Sequence, residues 1–211
     1  MIEIIKGTEV GRYADEMDQA YRLRHTVFVE EMGWTDLAKP DRREIDQFDD
    51  EHALHMIYRR DGEVVGYQRM LPTTRPHLLS HVLPELCEVE RPVGDHIWEW
   101  TRYSVRKPFR GGGRGLSPAA NMLLSAIVEW GMDTGVDRMI IEMDPIWLLR
   151  LVQLHFLVEP LGIPRTVGSA SVVAVAAKFD RRTLTMLRDL RGDHRSVLRS
   201  TPELEIEGAV S

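Results

Sequence analysis

The chain has 211 residues, 43% of them hydrophobic, with a net charge of −6 and a single cysteine, Cys87. That length and apolar content suit one domain with a sizeable core, and the acid excess argues against general nucleic-acid binding. No apolar run approaches the ~18 residues of a membrane span. The start, Met1-Ile2-Glu3-Ile4-Ile5-Lys6, lacks the basic-then-apolar order of a secretory leader, so a cytoplasmic location with no membrane or nucleic-acid partner is expected. A lone Cys87 excludes an internal disulfide and reads as a small buried hydrophobe rather than a nucleophile.

Ile2 to Ile5 read as a first strand. From Asp15 to about Met32 the spacing is helical, with Met17, Ala20, Tyr21, Val27 and Phe28 on one stripe. Arg24 falls inside that stripe, either snorkelling its stem over apolar surface or turning inward to meet a carboxylate. Gly33-Trp34 ends the helix, and a polar segment through Arg43 reads as a mobile loop over a pocket. In Glu44-Ile45-Asp46-Gln47-Phe48-Asp49-Asp50-Glu51 the acids form either a solvated loop or a cation-binding cluster.

Asp61-Gly62 marks a tight turn between strands at Ala53–Tyr58 and Val64–Met70, with Arg69 near the end of the second. A short helix over Leu78–Leu83 leads to Ile97-Trp98-Glu99-Trp100-Thr101-Arg102-Tyr103-Ser104-Val105, a strand that reads as packed on both faces. A regular strand would put Glu99 and Arg102 on opposite faces; a β-bulge would re-aim one of them. Next comes Arg110-Gly111-Gly112-Gly113-Arg114-Gly115, then Ser117 as N-cap and Pro118 at the first position of a helix running to about Gly131. Glycine N–H groups beside a helix N-terminus suit a phosphate, although a tight turn without ligand would look the same. Arg102, Arg106, Lys107, Arg110 and Arg114 make a site-sized basic patch. A strand over Asp137–Met143, a helix from Ile146 to about Phe156, a strand over Ser171–Phe179 and a basic amphipathic helix from about Arg181 to Leu190 follow. A polar tail over 192–211, expected to be disordered, completes a single domain over 1–191.

The ordered set Arg24-x-x-x-Phe28, Trp34, Asp46-x-x-Asp49, Arg69 and Glu99-x-x-Arg102 resembles the signature of acyl-homoserine-lactone synthases, the quorum-sensing autoinducer synthases. The match covers about residues 20 to 105, and Arg110-x-x-Gly113-x-Gly115 has the spacing of the pyrophosphate loop in Gcn5-related N-acyltransferases. The resemblance implies an α/β fold like that of those N-acyltransferases, a single mixed, twisted sheet flanked by helices, which the element order also fits. It implies acylation of the amine of S-adenosylmethionine by an acyl thioester, then lactone closure with release of methylthioadenosine. Such chemistry takes small-molecule substrates, no metal and no resident cofactor.

Within that frame Glu99 is the first candidate for the base that deprotonates the amine, and Asp46 the second. A main-chain N–H near Tyr103 and Ser104 would meet the oxyanion. Phe28 and Trp34 would face the sulfonium. Arg24 and Arg102 would clamp a carboxylate or brace the acids, and Asp46, Asp49 and Arg69 would line the pocket or form an ion-pair network. Arg110, Gly113 and Gly115 favour acyl-CoA as donor, with acyl carrier protein the alternative, since a basic patch also suits an acidic carrier surface. Element order places the acyl pocket at Ile140, Ile141, Met143, Trp147, Leu148 and Leu151. None of these offers a side-chain partner for a 3-oxo or 3-hydroxy oxygen, so a short, plain, branched or aryl acyl group is expected. An N-acetyltransferase using acetyl-CoA and a non-catalytic acyl-ligand sensor are the competing readings; neither explains the full set of residues.

Overall fold

The computed structural model describes residues 1–111 and 115–199. In chain order they form β1 (Ile2–Lys6), α1 (Ala14–Arg24), β2 (Leu54–Arg60), β3 (Glu63–Pro72), α2 (Leu78–His81), β4 (Ile97–Val105) and α3 (Pro118–Thr134). Then come β5 (Arg138–Met143), α4 (Leu148–Gln153), β6 (Leu157–Pro160), β7 (Arg165–Val167), β8 (Ala170–Lys178) and α5 (Arg181–Arg191). The eight strands make a mixed sheet in the order β1-β2-β3-β4-β5-β8-β6, with β7 paired to β8. All neighbours are antiparallel except β4 and β5.

Period-two alternation divides the apolar residues between two faces. Met56, Met70, Met139 and Val175 pack against Leu123 and Ile127 of α3 and Leu187 of α5. Ile57 and Tyr67, on the opposite face, meet Met17, Tyr21 and Phe28 from the α1 region. The Ser117 hydroxyl accepts the Ala120 N–H at 3.1 Å and Pro118 fills the first turn of α3. Gly135 ends that helix at φ +81, a left-handed conformation that glycine adopts without steric cost.

Past Arg24 the first helix widens into a π-helical turn, His25–Glu31. A second constraint sits at its base. A Cβ on Gly7 would lie 1.9 Å from the Asp50 carbonyl oxygen, so only glycine lets the acidic loop come this close to the end of β1. The Gly7 N–H donates to Ala53 O (2.7 Å) and the Glu44 N–H to Tyr21 O (3.1 Å), fixing both ends of that loop over the sheet.

Three expectations change. The helix anticipated from Ile146 to Phe156 is a 3-10 turn, Pro145–Trp147, and then only α4. It stops because His155 takes φ +64 and the Phe156 N–H turns back to Leu151 O. The short strands β6 and β7 have no counterpart in the sequence reading; they are mostly exposed, and Pro160 ends β6. Of the segment after α5, Val197 is buried and its carbonyl accepts the Ile2 N–H at 2.7 Å; residues 200–211 lie outside the described residues.

Candidate active site

Three arginines and three carboxylates close a ring above the α1 face of the sheet. Arg24 donates to Asp49 through both terminal nitrogens (2.7 and 2.9 Å) and to Glu44 through Nε (2.6 Å). Arg69 grips Asp46 in the same forked manner (2.6 and 3.0 Å) and lies 2.8 Å from Asp49. Arg102 completes the circuit, donating to both Glu44 oxygens (3.0 and 3.1 Å) and to Asp46 (2.7 Å). Each guanidinium therefore bridges two carboxylates, and the buried charge sums to zero. Burial alone would raise these carboxyls, but the arginines override it: Arg24 and Arg69 hold Asp49 well below the usual carboxylate range. Arg24 and Arg102 lower Glu44, and Arg69 and Arg102 lower Asp46. The aromatic surround includes Tyr67, whose hydroxyl lies 2.7 Å from His55 Nδ1; burial depresses that imidazole to about 4, so it is neutral at pH 7.

This geometry answers the alternatives left open by the sequence. Arg24 is fully buried and turned inward. Because its fork and Nε are already paired, it does not clamp a substrate carboxylate. Glu44, Asp46 and Asp49 of that loop face the chain's own guanidiniums. Asp46 is a poor base, since Arg69 and Arg102 donate to it and stabilise its anion. Glu44 is part of the ring although the sequence reading did not single it out.

Arg102 reaches the ring because β4 carries a bulge. Tyr67 pairs with Ser104 and Arg69 with Thr101, so β4 spends one residue more than β3 over this stretch, and Arg102 takes φ +55. Glu99, Thr101, Arg102 and Ser104 thereby share one face. Tyr103 turns to the other face, its ring edge-on to Trp100 at 5.4 Å, so only its main chain is available here. Phe28 stacks on Trp34 (centroids 5.2 Å) and also carries the Arg102 guanidinium at 5.4 Å. Trp34 is half-buried and keeps part of its ring open.

Glu99 is fully buried. It accepts the Leu78 and Leu79 N–H groups at 2.8 and 2.7 Å and contacts His77 Nδ1 at 2.8 Å. Beside it the sheet splits. The parallel pairing of β4 with β5 stops at Glu99–Ile140, while β4 runs on to Val105 and β5 to Met143. Among the described residues, the β5-facing edge of β4 past Glu99 thus has no ladder partner over a stretch that includes Tyr103 and Ser104. The Ser104 hydroxyl and His77 Nε2 are buried with no hydrogen-bond partner among the described residues. Just past the end of β4, Arg110 donates to Val105 O (2.6 Å) and pairs with Glu31 (2.6 Å). Gly111 takes φ +70 and Gly115 has open space around its Cβ position; Gly113 lies outside the described residues. The basic patch is smaller than the sequence suggested, because Arg102 is buried in the ring and Arg106 pairs with Glu63 at 3.0 Å.

The proposed acyl wall does not hold together as one surface. Ile140 and Ile141 point to opposite faces of β5, the first joining Leu79 and Ile97, the second the core under α3 with Met143, Leu148 and Leu151. Trp147 is 54% exposed in the turn before α4. Strand alternation and a helix shorter than expected account for both departures.

The autoinducer synthase family model matches residues 8–186. Isovaleryl-homoserine lactone synthase of Bradyrhizobium diazoefficiens is 36% identical over 206 residues, covering 97% of this chain and 92% of the relative. An acyl-homoserine-lactone synthase of Acinetobacter nosocomialis is 30% identical over 158 residues, covering 72% and 85%. Among solved structures, BjaI, a CoA-dependent acyl-homoserine lactone synthase with SAM and isopentyl-CoA, aligns at TM-score 0.88 and 36% identity over 97% of this chain and 95% of that one. MesI, also CoA-dependent, aligns at 0.84 and 27% identity over 95% and 100%. A structure described as an N-acetyltransferase from Lactobacillus plantarum, 21% identical over 84% of this chain and 97% of that one at TM-score 0.51, shares the fold alone. The chain belongs to the autoinducer synthases, the acyltransferases that make acyl-homoserine lactones.

Proposed function

We propose that this enzyme acylates the α-amine of S-adenosylmethionine from an acyl-CoA, closes the lactone and releases methylthioadenosine. The observation that carries the reading is the fully buried Glu99 beside the split between β4 and β5. A carboxylate fixed by two main-chain donors and an imidazole is a pre-aligned proton acceptor, and the unpaired edge of β4 offers N–H groups to an oxyanion. The amine, losing its proton toward Glu99, attacks the thioester carbonyl. The tetrahedral oxyanion rests on the main chain near Tyr103 and Ser104, and the C–S bond breaks to release the thiol. In the second step a methionine carboxylate oxygen displaces the sulfonium at the γ-carbon, so that a C–O bond forms as the C–S bond breaks. Holding those two atoms together is a proximity effect. Both steps consume substrates only, and neither draws on a resident cofactor.

The acyl-CoA donor is supported by the relatives described as CoA-dependent and by the sequence spacing of Arg110, Gly113 and Gly115 ahead of α3. A short, branched acyl group is supported by the isovaleryl relative matched along 97% of this chain. Purified enzyme offered S-adenosylmethionine with matched acyl-CoA and acyl-carrier-protein thioesters, followed by mass spectrometry of the lactone, tests the donor. Turnover with isovaleryl-CoA above that with butyryl-, decanoyl- and 3-oxo-acyl-CoA is expected. Turnover with carrier protein alone would overturn the donor assignment.

A further inference from the structure

His77 sits behind Glu99, and both side chains are fully buried. The imidazole Nδ1 lies 2.8 Å from Glu99 Oε1, which also accepts the Leu79 N–H at 2.7 Å, while Oε2 accepts the Leu78 N–H at 2.8 Å. An ionised carboxylate offers about four acceptor directions. Three are taken, two of them on Oε1, so the direction left for a substrate amine is on Oε2. At the far side of the ring, Nε2 is buried with no hydrogen-bond partner among the described residues. A proton there would have no acceptor, whereas a proton on Nδ1 meets a carboxylate oxygen. A side chain that served packing alone would be better made apolar, since that leaves no orphaned nitrogen. The main chain keeps the ring in place. The His77 N–H donates to Ser80 Oγ (2.9 Å), whose hydroxyl donates back to His77 O (2.9 Å). Thr73, where the chain leaves β3, donates through Oγ1 to Ile97 O of β4 (2.7 Å). The segment 73–77 is thereby tied to the strand that carries Glu99.

We propose that His77 is a positioning residue: with its proton on Nδ1 it donates to Glu99 Oε1 and leaves Oε2 as the one place where the substrate amine meets the base. The inference deepens the proposed function and rests on Glu99 as the base of the acyl transfer. With the Leu78 and Leu79 N–H groups alone, each carboxylate oxygen would keep one open direction, and the amine would have two places to dock. The imidazole closes one of them, so the attacking nitrogen is held in a single orientation toward the thioester carbon. An imidazole with one proton carries no formal charge. It therefore orients Glu99 without the charge pairing that the arginines impose on Asp46.

The test is kcat and KM, with isovaleryl-CoA as donor, for His77→Leu, His77→Asn, Glu99→Gln and the double variant of His77→Leu with Glu99→Gln. Leucine fills the site without a donor, so kcat should fall by about 10- to 100-fold with KM for both substrates little changed, the scale of one or two hydrogen-bond increments. Asparagine places an amide N–H where Nδ1 stands and should bring kcat back to within about threefold of the wild type. Because His77 acts through Glu99, adding His77→Leu to Glu99→Gln should lower kcat by less than about threefold more. Full kcat in the Leu variant, equal losses in the Leu and Asn variants, or losses that multiply in the double variant would overturn the proposal. A reading on the wild type needs no variant to fold. Nitrogen NMR of enzyme isotope-labelled at histidine, with the His77 ring assigned through its own main chain, should show the proton on Nδ1; a proton on Nε2 instead would overturn the proposal. Wild-type turnover in Glu99→Gln, or no lactone from any donor, would overturn the functional reading, and this inference with it.

Discussion

Arg102 and Glu44, 58 residues apart in sequence, meet through two hydrogen bonds of 3.0 and 3.1 Å. A strand residue at φ +55 and a loop residue with no periodic pattern around it thereby join the two halves of the ion-pair ring. The ring's neutrality explains how six charged groups are tolerated above a packed sheet, since each carboxylate meets guanidinium donors at two sides. It ties the 44–49 loop to Arg24 of α1, Arg69 of β3 and Arg102 of β4, and Arg102 in turn lies over the Phe28 ring.

Breaking the ring should therefore cost folding stability before it costs chemistry. Glu44→Gln and Asp49→Asn each leave guanidinium charge without its partner, at about 3–5 kcal/mol. Urea unfolding would show a lower midpoint with an unchanged slope. A variant as stable as the wild type would mean that the charge at that position contributes nothing measurable to folding.

The ring also sets an acid limit. Asp49, Asp46 and Glu44 have folded pKa values below their unfolded ones. The stability they contribute is thus complete above the ordinary carboxylate range, near pH 4, and is lost as pH falls through the depressed values. Thermal unfolding between pH 7 and pH 2 should show a steep fall in midpoint below about pH 4. In Asp49→Asn the fall should be shallower.

Much of the site was legible in the sequence, and what was not has identifiable causes. The eight signature residues lie close together in sequence or on patterned elements, and the three-residue offset of Glu99 and Arg102 within an apolar strand signalled the bulge. Glu44 was hidden because it lies in a loop, where neither spacing nor propensity ranks one acid over its neighbours. His77 was missed because its ring meets Glu99 through the turn into α2, a three-dimensional contact. The acyl wall went wrong for a local reason: the helix after Pro145 stops early and leaves Trp147 in solvent.

Trp34→Ala should raise KM for S-adenosylmethionine more than KM for the thioester. Trp34 is the aromatic ring left partly open beside the ring of charges, and losing a cation–π contact with a sulfonium costs about 0.5–2 kcal/mol. Equal increases for both substrates would assign Trp34 to packing against Phe28 alone.

Glu99→Gln should lower kcat by about 10²–10⁴-fold, the scale of general-base removal. The amide would also present an NH2 group to the Leu78 or Leu79 N–H, so a fall of about 1–3 kcal/mol in stability is expected alongside, from donors left without an acceptor. Turnover close to wild type would remove Glu99 from the chemistry.

On the proposed function, one active site performs both amine acylation and lactone closure on S-adenosylmethionine. A time course with isovaleryl-CoA, following lactone, free thiol and methylthioadenosine in one reaction, tests it most directly. All three should accumulate in equal amounts, with none formed in the absence of S-adenosylmethionine. Thiol released without methylthioadenosine, or an acylated product that never closes to the lactone, would contradict it.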